Sequence, residues 1–181
     1  PIILGGIYLI LVVLFFFNSD LFILKFSLVI IFFIGLVSDK NILPSPRIRI
    51  ILQILVLFFL VFYSELQIEN LENFYLNNFL KNNLINLLFV SFCIIILING
   101  TNFIDGLNGL VLLYAIIIFY VLFKLGLFEY SFDDKIILSF IVLLTIILIF
   151  NFCNFLFLGD SGAYSIGLIL GFFLISVYQY N

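Results

Sequence analysis

Long apolar runs alternate with short polar breaks along the whole of this chain. Seven runs stand out: Ile2 to Phe17, Leu21 to Val37, Ile48 to Tyr63, Leu84 to Ile98, Leu107 to Leu125, Ile136 to Asn151 and Gly162 to Tyr180. None carries the polar face of a helix on a soluble surface, and a spanning helix needs roughly 17 to 25 residues. The pattern predicts an all-α fold, a polytopic transmembrane helical bundle of about seven spans. Tilt, flanking residues or local bilayer thinning cover the shortfall of the shorter runs. One membrane-embedded domain over residues 1–181 is expected.

The breaks differ in character. Asn18-Ser19-Asp20 predicts a tight turn, Ser64 to Asn83 a longer Asn- and Glu-rich surface segment, and Phe128 to Lys135 a short acidic loop. The second, fourth and sixth breaks hold Ser38-Asp39-Lys40, Asn99-Gly100-Thr101-Asn102-Phe103-Ile104-Asp105-Gly106 and Leu158-Gly159-Asp160-Ser161-Gly162. If every run spans, these even-numbered breaks share one side. A carboxylate at a membrane boundary is costly. Three gathered on one face suggest an active site.

Composition sharpens this picture. Hydrophobic residues make up 66% of the chain and charged residues 9%, against about 25% charged in soluble domains. The net charge is -3 without a basic run, so no nucleic-acid partner is expected. With no His and two cysteines, Cys93 and Cys153, inside apolar runs, a Ser-His-Asp triad within the chain is excluded, and neither a zinc centre nor a disulfide framework is expected. The lack of Met, with Pro1 at the start, predicts a piece of a longer protein, truncated at both ends. No basic leader marks a signal peptide. Lys40, Arg47 and Arg49 lie on the motif side and Lys25, Lys81, Lys124 and Lys135 opposite, so charge leaves the orientation open.

Each polar stretch has a bland and a chemical reading. Ser45-Pro46 reads as an N-cap followed by Pro at the first helical position, with Arg47 and Arg49 in the first turn. Cations there oppose the helix dipole, so a headgroup or substrate phosphate nearby would account for them. Asp105 reads first as the N-cap of the span from Leu107, but Asn99, Asn102 and Asn108 beside it exceed what a cap needs. Asp160 could likewise cap the last span, and a helix N-terminus beside small residues also suits phosphate. Gly162, Gly167 and Gly171 read as a helix-packing row. Together the acids offer hard oxygen donors of the kind Mg²⁺ takes with substrate phosphates, which suggests displacement at phosphorus.

These motifs resemble the polyprenyl-phosphate N-acetylhexosamine-1-phosphate transferases. The likeness lies in Gly35-Leu36-Val37-Ser38-Asp39-Lys40 with Ser45-Pro46-Arg47-Ile48-Arg49 and Gln53, in Asn102-Phe103-Ile104-Asp105-Gly106-Leu107-Asn108-Gly109-Leu110, and in Phe157-Leu158-Gly159-Asp160-Ser161-Gly162, with Gly5-Gly6-Ile7 a weaker element. The resemblance implies transfer of a sugar-1-phosphate from a UDP-N-acetylhexosamine, UDP-GlcNAc first, to a polyprenyl phosphate. UMP is released, and Mg²⁺, or Mn²⁺ in its place, is the cofactor. It implies Asp39, Asp105 and Asp160 as catalytic residues, with Asp160 and Asp39 at the metal. Asn99, Asn102, Asn108, Arg47, Arg49 and Ser38 are the candidate substrate contacts. The partners are the two substrates and membrane lipid, with a homodimer as a further candidate. The location implied is the bacterial cytoplasmic membrane, multi-pass, with the site facing the cytoplasm. The chain departs from the family at Ser38 and Asn108, where Asp is usual, and at Phe155, where Lys is frequent. The alternatives are a non-catalytic membrane scaffold and an ion-coupled transporter, the latter disfavoured because the acids lie at span ends.

Overall fold

The computed structural model describes residues 5–16, 21–43, 45–69, 71–106, 108–127 and 134–180. Among these the regular structure is all helical: α1 (Gly5–Phe16), α2 (Phe22–Asp39), α3 (Pro46–Ser64), α4 (Phe74–Leu80), α5 (Asn83–Ile104), α6 (Leu110–Lys124), α7 (Asp134–Phe152) and α8 (Gly159–Tyr180). The Asn18-Ser19-Asp20 turn, Leu107 and most of the acidic break before Lys135 lie outside the described residues.

Each apolar run forms a helix, as its composition predicts. Five helices are long and apolar enough to cross a membrane: α2, α3, α5, α7 and α8. The other two runs give α6 with 15 residues and α1 with 12. At 1.5 Å per residue neither covers a hydrocarbon core of about 30 Å unaided, so length alone supports five of the seven expected spans.

α8 is the axis of the bundle. In its apolar window 89% of the residues are buried, against 22% to 44% in the other four long helices. It packs against α1, α2, α5 and α6. The glycines permit this closeness. A Cβ on Gly35 of α2 would lie 2.4 Å from Ser161 Cα, and one on Gly167 would lie 2.6 Å from Ile98 Cα of α5. Gly171 faces Ile94, and Gly162 faces Gly6 and Leu158. The glycine row is thus a packing feature, as expected. The Thr101 hydroxyl stands 2.9 Å from the Ala163 carbonyl and ties α5 to α8.

The Asn-rich break between α3 and α5 folds into α4 and its caps. Asn73 accepts from the Tyr75 and Leu76 amides, and Asn82 from those of Leu84 and Ile85. Both are ordinary N-caps. Cys93 and Cys153 are free thiols.

Candidate active site

Two of the polar stretches are not loops. α2 continues through Ser38 and Asp39, and α5 runs through Asn99, Asn102 and Ile104. The reason is local. Asn99 Nδ2 donates back to the Ile95 carbonyl and Thr101 Oγ1 to that of Leu97, so these polar side chains are satisfied within the helix.

The caps also differ from expectation. Asp105 is the C-cap of α5, and Gly109, at φ 78°, is the N-cap of α6. Only a residue tolerant of the left-handed region suits that turn. Asp160 lies inside the first turn of α8. The carboxylate covering that helix start is Asp39, from α2. Its Oδ1 accepts from the Asp160 amide at 2.8 Å and its Oδ2 from the Ser161 amide at 3.1 Å. An anion at a helix N-terminus also meets the positive end of the dipole.

Asp160 in turn receives two donors on one oxygen. Ser38 Oγ donates to its Oδ2 at 2.5 Å, and Arg49 Nη1 pairs with the same atom at 3.0 Å. Arg49 also donates to Ser38 Oγ and lies 3.4 Å from the Tyr164 hydroxyl. Ser45 takes the extended N-cap conformation before Pro46, as predicted, though its side chain makes no capping bond. Arg49, a first-turn cation for which the sequence suggested a headgroup or substrate phosphate, pairs instead with a carboxylate of the chain itself, Asp160. Arg47 is exposed and makes no bond to this cluster among the described residues. Two residues apart on a helix, the pair cannot share a face.

The remaining candidates border this cluster. Burial, then the negative charges of Asp160 and Asp39, push the Asp105 carboxyl up to about 7. Asn99 and Asn102 line a cavity of about 200 Å³ with Arg49, Phe103 and Tyr164. Asn108 donates to Asn154 Oδ1 at 3.1 Å, joining the α5–α6 turn to the α7–α8 turn. The three stretches thus converge at one end of the bundle. Sequence reasoning assigned no role to Tyr164 or Gln53. Each stands four residues after a site residue, Asp160 and Arg49 respectively, and that spacing alone could have flagged both.

The donor set suits a hard divalent cation. No three His, Cys, Asp or Glu side chains among the described residues form a cage. Asp39 keeps lone pairs beyond its two amide bonds, and among the described residues Asp160 Oδ1 accepts no hydrogen bond. One or two carboxylates completed by phosphate and water oxygens is the usual manner of holding Mg²⁺. Three carboxylates near one guanidinium also leave negative charge for a cation to offset.

Fold and site together define an apolar helical bundle with an acid-lined polar centre at one end. The chain belongs to glycosyl transferase family 4, whose family model matches residues 21–178. The family comprises membrane sugar-phosphate transferases that use a nucleotide-sugar donor and a polyprenyl-phosphate acceptor. No curated protein and no solved structure matches the chain.

Proposed function

We propose that the chain transfers N-acetylhexosamine-1-phosphate from a UDP-sugar, UDP-N-acetylglucosamine in the first instance, to a polyprenyl phosphate, as the first membrane step of a cell-envelope glycan. An oxygen of the lipid phosphate attacks the β-phosphorus. The bond from that phosphorus to the bridging oxygen breaks, UMP leaves with the electron pair, and a lipid-linked diphosphosugar remains. The observation that carries this reading is the cluster at the head of α8, where Asp39, Asp160, Ser38 and Arg49 meet.

Each residue has a task that its chemistry allows. Arg49 can turn from Asp160 toward a phosphate, since a guanidinium offers five donors in a fixed fork. Asp39 and Asp160 would hold Mg²⁺, which supplies charge neutralisation at the diphosphate. Ser38 cannot serve as a base near neutral pH, but a phosphate monoester with its second pKa near 6 is already largely ionised there. Asp105, raised to about 7, is the carboxyl best poised to take or return a proton at neutral pH. Because nucleotide sugars are made in the cytoplasm, the site faces that side of a bacterial cytoplasmic membrane.

The test uses membranes carrying the full chain, tritiated UDP-N-acetylglucosamine, Mg²⁺ and undecaprenyl phosphate. Label is expected in butanol-extractable lipid and should fall by at least ~100-fold in Asp160→Asn. A folded wild-type chain that labels no lipid would favour the scaffold reading, which the hydroxyl at Ser38 supports.

A further inference from the structure

Beside the Arg49–Asp160 pair, the Asn99 amide is held in one orientation. Its Nδ2 donates to the Ile95 carbonyl at 3.0 Å and to Gln53 Oε1 at 2.9 Å. A backbone carbonyl can only accept, so the nitrogen must face Ile95 and the amide cannot be turned over. Gln53 stands on α3 one turn beyond Arg49 and is 0% exposed. Both Asn99 amide hydrogens therefore end inside the protein. Its Oδ1 accepts no hydrogen bond among the described residues, while Asn99 itself lines the cavity of about 200 Å³ shared with Arg49, Asn102 and Tyr164. The arrangement leaves Gln53 Nε2 buried without a partner among the described residues. Such an orphaned donor is unfavourable, and the residue retains it while fixing Asn99.

We propose that Gln53 is a positioning residue that sets Asn99 as an acceptor-only wall, so that Asn99 reads a hydrogen-bond donor on the nucleotide sugar, a sugar hydroxyl or the acetamido N–H beside the diphosphate. This deepens the transferase reading and rests on it. Ionised phosphate oxygens only accept, and a fixed carbonyl oxygen repels them, so Asn99 does not serve the phosphates. Arg49, on the same cavity wall, suits them. Pockets that enclose a whole small ligand run from about 300 Å³ upward. This smaller space fits one part of the donor.

The experiment compares UDP-N-acetylglucosamine with UDP-sugars lacking the acetamido group or the 3-, 4- or 6-hydroxyl. Membranes carry the full wild-type chain, Asn99→Ala, Gln53→Met or Gln53→Glu. Wild type should lose roughly 10- to 100-fold in kcat/KM with one analogue, because that analogue leaves the Asn99 oxygen unpaired. That penalty should nearly vanish in Asn99→Ala and in Gln53→Met, with the other penalties unchanged. Gln53→Glu, which keeps an oxygen acceptor for Asn99, should restore it. Ratios between analogues within one variant do not depend on how much of it folds. Penalties identical across all variants, or no penalty in wild type, would overturn the assignment of Asn99 and Gln53 while leaving the transferase reading intact. A wild type that transfers nothing from UDP-N-acetylglucosamine removes the transferase reading and this one with it.

Discussion

The two ends of the bundle use polar residues in opposite ways. At the end holding α4, amides close backbone. Asn86, buried, accepts from the Ile68 amide and donates to the Ile68 and Leu80 carbonyls. Gln179 accepts from the Gln67 amide and donates to the Glu65 carbonyl. At the aspartate end, side chains bond chiefly to one another, through Ser38, Arg49, Asp160 and the Gln53–Asn99 pair. Among the described residues Asn99 Oδ1 and Asp160 Oδ1 accept no hydrogen bond, and like charges crowd Asp105. At one end the amides are spent on closing backbone and carry stability. The other keeps hydrogen-bonding capacity and charge in reserve, as a site for a charged ligand requires.

This contrast can be broken at four points. Asp39→Leu should act hardest, since it removes a site carboxylate and uncovers two amides of α8. Lipid labelling per folded molecule should fall at least ~100-fold, and a rate within a few-fold of wild type would put Asp39 on the structural side. Asn86→Leu should do the reverse. It strands buried backbone groups at a cost of about 1–3 kcal/mol, seen as a lower melting temperature in detergent, with the rate per folded molecule unchanged. Ser38→Asp should raise the rate roughly 10-fold if a carboxylate there adds a proton acceptor. An unchanged rate would show that the hydroxyl suffices.

The smallest effect is on stability against pH. The folded carboxyl of Asp105 sits near 7, above its ordinary value of 3.8. The folded state therefore binds the extra proton, and this contribution to stability is complete below pH 3.8 and lost as pH rises through about 7. In chelator, melting temperature should decline across that window, and Asp105→Asn should flatten the decline. A wild-type profile equal to that of the variant would show that Asp105 is not perturbed.

Much of this was legible in the chain. Apolar runs fixed the helices, and the alternation of breaks brought Asp39, Asp105 and Asp160 to one end. Ser45-Pro46 marked the start of α3. What escaped depends on contacts between distant segments. Asp39 covers a helix start 121 residues further on, and no local pattern signals that. Asn99 to Ile104 reads as loop by composition; its polar side chains are satisfied within the helix, and the further bonds of Asn99 to Gln53 and of Thr101 to Ala163 join segments far apart in the chain. The choice of Arg49 over Arg47 was available from helical phase: only Arg49 shares a face with Gln53.

The carboxylate of Asp39 works as a clasp between two helices and, on the proposed function, lies where substrates would arrive. Anything that draws it away leaves the Asp160 and Ser161 amides without their acceptor. Occupancy of the pocket and fraying of the central helix then become one equilibrium, each shifting the other by the same free energy. Ligand arrival would be legible as faster deuterium uptake at those two amides.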